Sequence, residues 1–134
     1  DEIKRWSKFL NIKTNIKPKF FPPKDPHLPA KFTIAANLLG VKVVFGHELL
    51  KQLWSEEKDI SDEKNIESIG NKFKINFKEL SVLAKSEKVS KIYTDNTEEA
   101  VGKNVFGAPT YIFNNELFWG QDRLEFLERA LKNA

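Results

Sequence analysis

Two short stretches near the end of the chain carry residue types suited to holding a small peptide-like ligand. The first is Phe106-Gly107-Ala108-Pro109-Thr110, a proline at the start of an apolar, strand-like run. Proline has no N–H to give to a sheet ladder, so it belongs at a strand's first residue or at an edge. By itself this is an ordinary trans proline opening a strand, the commoner isomer. A cis Ala108–Pro109 bond would instead turn the N–H and C=O of Ala108 outward, free to pair with an extended peptide. The second stretch is Trp119-Gly120-Gln121-Asp122-Arg123. A helix starting there offers N–H groups and a partial positive charge to a carboxylate. Asp122 suits an ammonium, and Gln121 can both donate and accept. A group with adjoining carboxylate and ammonium matches that pairing. By itself Asp122 reads as a plain N-cap, with Glu125 three residues on, and Trp119 as core packing or a surface patch.

The elements that must position these stretches follow from periodicity. Ile3, Trp6 and Leu10 recur at helical spacing and predict a first helix over residues 1–11 with one buried face. Ile12, Thr14 and Ile16 alternate and predict a strand closing near Phe20. Pro22, Pro23, Pro26 and Pro29 exclude regular structure over residues 21–29, which reads as a domain crossover. From Pro29 to Asn104 the pattern is helical. Pro29 opens one helix running to Gly40, and Leu49, Leu50, Leu53 and Trp54 stripe a second. Ser61 caps a third with Ile66 and Ile69 inward, and Asn76 with Glu79 has capping-box spacing. Ser86 caps a long helix bearing Val89, Ile92, Tyr93, Ala100 and Val101. Two four-residue apolar runs then flank Asn114-Asn115, and asparagine tolerates the positive φ of a two-residue hairpin turn. Leu124, Leu127 and Leu131 mark a final helix.

The 134 residues are 40% hydrophobic and 31% charged, a globular composition. No apolar run nears the ~18 residues of a membrane helix. The absence of cysteine rules out a disulfide or a cysteine nucleophile among these residues, and the absence of methionine suggests a chain internal to a longer one. Positions 1–31 hold eight basic against three acidic residues. No zinc-finger, phosphate-loop or RNA-binding motif accompanies them, so a solvated basic surface is expected and no nucleic acid. His27 and His47 have no partners at metal spacing, so no metal is expected.

Residues 96–101 (Asn-Thr-Glu-Glu-Ala-Val), 105–110 (Val-Phe-Gly-Ala-Pro-Thr) and 116–127, running Glu116-Leu117-Phe118-Trp119-Gly120-Gln121-Asp122-Arg123-Leu124-Glu125-Phe126-Leu127, resemble the C-terminal signature of the 2-hydroxychromene-2-carboxylate isomerase and kappa-class glutathione transferase family. Residues 53–61 and the proline-rich crossover are similar to it too. The resemblance implies an α/β, DsbA-like thioredoxin fold with an inserted helical domain. Residues 1–21 and 105–134 would form the thioredoxin-like part, residues 22–104 the insert, and the first strand–helix unit would lie outside these residues. It implies glutathione as cofactor: Ala108, before the cis Pro109, would pair with the cysteinyl backbone, and Gln121 and Asp122 would hold the γ-glutamyl group. The serine that stabilises the family's thiolate has no counterpart here, so no catalytic residue is assigned. Asp25-Pro26-His27 stands where relatives often carry an asparagine. The implied chemistry is reversible thiolate addition to a conjugated ketone, bond rotation and elimination, with the cofactor supplying the hard step. A small aromatic or conjugated electrophile, a homodimer and a cytoplasmic setting complete the expectation.

Two other readings share these features. A DsbA-type thiol-disulfide oxidoreductase would require a Cys-x-x-Cys pair upstream. A non-catalytic binding domain would show no affinity for glutathione.

Overall fold

The computed structural model describes all residues 1–134. In chain order it has α1 (Glu2–Phe9), α2 (His27–Leu38), α3 (Val44–Trp54), α4 (Glu63–Lys72), α5 (Phe77–Ala84), α6 (Glu87–Gly102), β1 (Thr110–Phe113), β2 (Glu116–Trp119), a 3-10 turn at Gln121–Arg123 and α7 (Leu124–Lys132). They fall into two compact units, residues 1–94 and 95–134, with the boundary inside α6.

The first unit is built on α2. Its inward positions Phe32, Ala35 and Ala36 are wholly buried, and the two alanines let neighbouring helices approach closely. Phe32 stacks on Phe77 of α5 with ring centroids 6.0 Å apart. Phe45, Leu49 and Leu53 of α3, Ile66 and Ile69 of α4, Leu80 and Ala84 of α5 and Val89 of α6 close the same core. Leu50, expected in the α3 stripe, is exposed, because it lies at the edge of that stripe, about 100° round the helix from the buried Leu49. The buried Gln52 amide donates to the Asn65 carbonyl and the Ser68 hydroxyl, 3.1 Å each, tying α3 to α4.

Helix starts follow local chemistry. Asn76 accepts the Glu79 N–H at 3.0 Å, and the Ser86 hydroxyl accepts the Val89 N–H at 3.2 Å. Replacing Asn76 with alanine is expected to cost ~1 kcal/mol of stability, read from a urea midpoint. Ser61 is not a cap. Asp62 takes that place, accepting the Lys64 N–H, while the Ser61 hydroxyl accepts the Asp25 N–H at 2.9 Å and anchors the crossover.

The strand expected over Ile12–Phe20 does not form. Side-chain alternation marks a face, but a strand also needs a ladder partner. Here the Asn15 N–H goes to the Trp54 carbonyl at 2.7 Å, the Lys13 carbonyl accepts from the Ser55 hydroxyl, and the Lys19 N–H goes to the Glu57 carboxylate. The segment bends at Ile16–Lys17, turns at Lys19–Phe20 and is pinned to the end of α3. The buried face expected of α1 is also absent. No α1 residue is buried, and Ile3, Trp6 and Leu10 border a shallow apolar cleft of about 280 Å³ with Ile12 and Trp54.

In the second unit β1 and β2 pair antiparallel, Thr110 opposite Trp119 and Phe113 opposite Glu116. Asn114 and Asn115 turn the hairpin with φ of 49° and 64°, as their side chains permit. Phe118 is the buried residue of this unit, and α7 packs on both strands. No helix is long and apolar enough to cross a membrane, and no group of three or more His, Cys, Asp or Glu side chains could hold a metal ion.

Candidate functional site

The hairpin register brings the two expected ligand-holding stretches side by side. With Thr110 opposite Trp119, the next residues outward are Pro109 and Gly120, and the Gly120 N–H donates to the Pro109 carbonyl at 2.9 Å. One ladder bond thus continues past the strands. Ala108 and Pro109 are exposed on one side of it, Gln121 and Asp122 on the other. The Ala108–Pro109 peptide is cis. Neither the N–H nor the C=O of Ala108 has a hydrogen-bond partner within the chain. The turn before it is braced by the Thr110 hydroxyl, which donates to the Gly107 carbonyl at 2.6 Å.

Asp122 is not the N-cap that its spacing to Glu125 predicts. The α-helix begins only at Leu124, behind the 3-10 turn, and no side chain caps either element. Gly120, at φ 109° and ψ 151°, swings the chain into that turn and keeps the Asp122 carboxylate off the helix N–H groups. Its partner is the neighbouring Arg123 guanidinium at 3.1 Å, an exposed pair of small energetic weight. Asp122 is therefore a carboxylate without a structural task, open to solvent two residues past the bond from Gly120 to Pro109.

Two glycines to which the sequence assigned no part in the site, Gly120 being read only as a strand breaker, hold this arrangement. A Cβ on Gly107 would stand 2.5 Å from the Trp119 indole nitrogen, so the indole lies on the backbone there. Trp119 is half exposed and meets Phe106 edge to face, centroids 4.9 Å apart. A Cβ on Gly120 would stand 2.5 Å from Asp122 Oδ1, at a backbone angle that L side chains rarely adopt. Gly120→Ala is expected to cost ~1–3 kcal/mol and to displace the Asp122 carboxylate, the first seen in a urea midpoint and the second in the Asp122 amide resonance. The available signal was position alone: each glycine adjoins a candidate residue.

His27 stands apart from these residues in the sequence. It belongs to the first unit, where its Nδ1 and the Tyr93 hydroxyl are 2.7 Å apart in a hydrogen bond.

A family model of the DsbA-like thioredoxin domain matches residues 1–132. The chain belongs to the DsbA-like thioredoxin-domain family. Its relatives include the 2-hydroxychromene-2-carboxylate isomerase of Pseudomonas sp. (strain C18), 39% identical over 49 residues, which are 37% of this chain and 23% of that protein. The protein of the same name from Pseudomonas putida is 44% identical over 39 residues, 29% of this chain and 19% of that one. A solved structure of 2-hydroxychromene-2-carboxylate isomerase superposes with a TM-score of 0.77 at 20% identity, covering 98% of this chain and 63% of that chain. The DsbA-like chain thus spans less than two thirds of the length of these relatives. Its fold is the helix-rich α/β, DsbA-like thioredoxin fold expected from the sequence, with a small two-stranded sheet.

Proposed function

We propose that the protein is a glutathione-dependent isomerase of the 2-hydroxychromene-2-carboxylate type, or a closely related glutathione transferase. The observation that carries this reading is the ladder bond between Gly120 and Pro109, which joins the turn holding the unpaired peptide groups of Ala108 to the stretch holding the exposed, Arg123-paired carboxylate of Asp122. These residues fit the tripeptide by donor and charge. Ala108 would pair with the cysteinyl backbone, Asp122 would take the γ-glutamyl ammonium, and the Gln121 amide and Arg123 guanidinium would take its carboxylate. Glutathione would supply a thiol nucleophile, and these residues bind and orient it. The isomerase names of the relatives support the reaction class. On this reading residues 1–21 and 105–134 belong to the thioredoxin-like domain and residues 22–104 to its helical insert.

Calorimetric titration tests the reading. Reduced glutathione is expected to bind saturably, and cysteinylglycine, which lacks the γ-glutamyl group, at least ~10-fold more weakly. Equal affinity for both removes Gln121 and Asp122 from the site, and absence of binding removes glutathione. The family match also supports a second reading, a thiol-disulfide oxidoreductase. It requires a cysteine pair outside these cysteine-free residues, and an insulin-reduction assay separates it from the first.

A further inference from the structure

The start of α2 and the part of α6 within the first unit hold a polar cluster that the glutathione reading leaves unused. His27 and Lys31 lie about one turn apart on α2, and Ser90 and Tyr93 three residues apart on α6, so each pair shares a helix face. His27 Nδ1 and the Tyr93 hydroxyl are 2.7 Å apart, and the two rings meet edge to face with centroids 5.7 Å apart. Lys31 Nζ donates to the Ser90 hydroxyl at 3.2 Å and stands 6.0 Å from the centre of the Tyr93 ring. The exposed His27 is anchored through its main chain. Asp25 accepts the N–H groups of His27 and Leu28 at 2.9 and 3.2 Å, and the Asp25 N–H is itself tied to the Ser61 hydroxyl.

A phenol is a weak nucleophile until a neighbouring base takes its proton as the new bond forms. A neutral imidazole protonated on Nε2 accepts the Tyr93 O–H at Nδ1, and 2.7 Å lies within the ~2.6–3.2 Å reach of a general base. The Lys31 ammonium sets a positive charge beside the same ring, which favours the negative charge that gathers on the phenol oxygen during attack. Nucleophile, base and cation converge, and Asp25 holds the residue that carries the base.

We propose that Tyr93 is a base-assisted nucleophile and a site of covalent acylation by activated esters. The Tyr93 oxygen attacks the ester carbonyl carbon, the phenol proton passes to His27 Nδ1, and the bond to the leaving oxygen breaks, which leaves an acyl-tyrosine and a free phenolate. None of these residues belongs to the glutathione set, so the proposal goes beyond that reading and does not rest on it.

The experiment treats the protein with 4-nitrophenyl acetate, follows release of 4-nitrophenolate by absorbance and maps the acetylated residues by mass spectrometry. Tyr111, the only other tyrosine, is the internal control. It is 37% exposed and Tyr93 is less so, and exposure alone would make Tyr111 the faster. Tyr93 is instead expected to be acetylated at least ~10-fold faster than Tyr111, since a positioned base is worth ~10²–10⁴-fold. His27→Asn, whose amide can still meet the hydroxyl but cannot take its proton, should bring Tyr93 down to the rate of Tyr111. Tyr93→Phe should abolish the fast release of 4-nitrophenolate. His27 is exposed and Tyr93→Phe keeps the ring, so both variants should fold, which a urea midpoint near the parent's would verify. The ratio of the two tyrosines in the parent protein needs no variant, and equal labelling overturns the proposal. So does fast release that survives Tyr93→Phe, which would make His27 or Lys31 the nucleophile. A Tyr93 rate unchanged by His27→Asn overturns it too, since the hydrogen bond would then only join two helices.

Discussion

Asp122→Asn is expected to strip the protein of most of its glutathione affinity while leaving its stability nearly untouched. The carboxylate caps no helix and touches only Arg123, an exposed pair. Its loss should therefore shift the unfolding free energy by no more than ~0.5 kcal/mol, the usual range for surface changes. Toward the γ-glutamyl ammonium the same change removes a charge-assisted hydrogen bond, typically ~1.5–3 kcal/mol, or ~10- to 100-fold in affinity. Calorimetry and a urea melt on the same variant measure both quantities. A variant that binds glutathione as the parent does, but melts several degrees lower, would make Asp122 a structural residue.

Phe32→Ala is expected to have the largest effect on stability. The ring is fully buried in the first unit and stacks almost parallel to Phe77, with 6° between the ring planes. Removing a buried phenylalanine costs ~3–5 kcal/mol through lost burial and the cavity left behind. Domains of this size are stable by only ~5–15 kcal/mol, so the variant should unfold at much lower urea. Phe106→Ala, at an exposed ring of the second unit, should change the midpoint little. Similar losses for the two variants would contradict the core assignment.

Much of the helical architecture was legible because it rests on local rules. Apolar spacing located α2 to α6, Asn114-Asn115 gave the hairpin its turn, and the prolines marked the crossover only as far as Pro26, since α2 begins at His27 and takes Pro29 into its first turn. The failures came where a pattern names a preference and not a partner. Alternation over Ile12–Ile16 described a strand's faces, but its backbone groups are taken by Trp54 and Ser55. The amphipathic spacing of α1 defined an apolar face without saying what would cover it. Ser61 and Asp62 are adjacent and equally able to cap, and the carboxylate won the helix start while the hydroxyl bonded Asp25.

The candidate site was legible as two motifs and not as a geometry. Spacing to Glu125 made Asp122 a cap, since a capping box is read from sequence separation alone. The positive φ of Gly120 and the 3-10 turn behind it overrule that reading, and neither is visible in residue order. The pairing of Pro109 with Gly120 likewise depends on the hairpin register. Once Asn114-Asn115 fixes a two-residue turn, that register follows.

Amide chemical shifts followed during a titration with reduced glutathione decide whether both stretches clasp a single ligand. Resonances of Ala108, Gln121 and Asp122 should move together along one saturation curve, with the interior of the helical unit unmoved. Shifts confined to other residues, or separate curves for Ala108 and Asp122, would contradict a shared glutathione site.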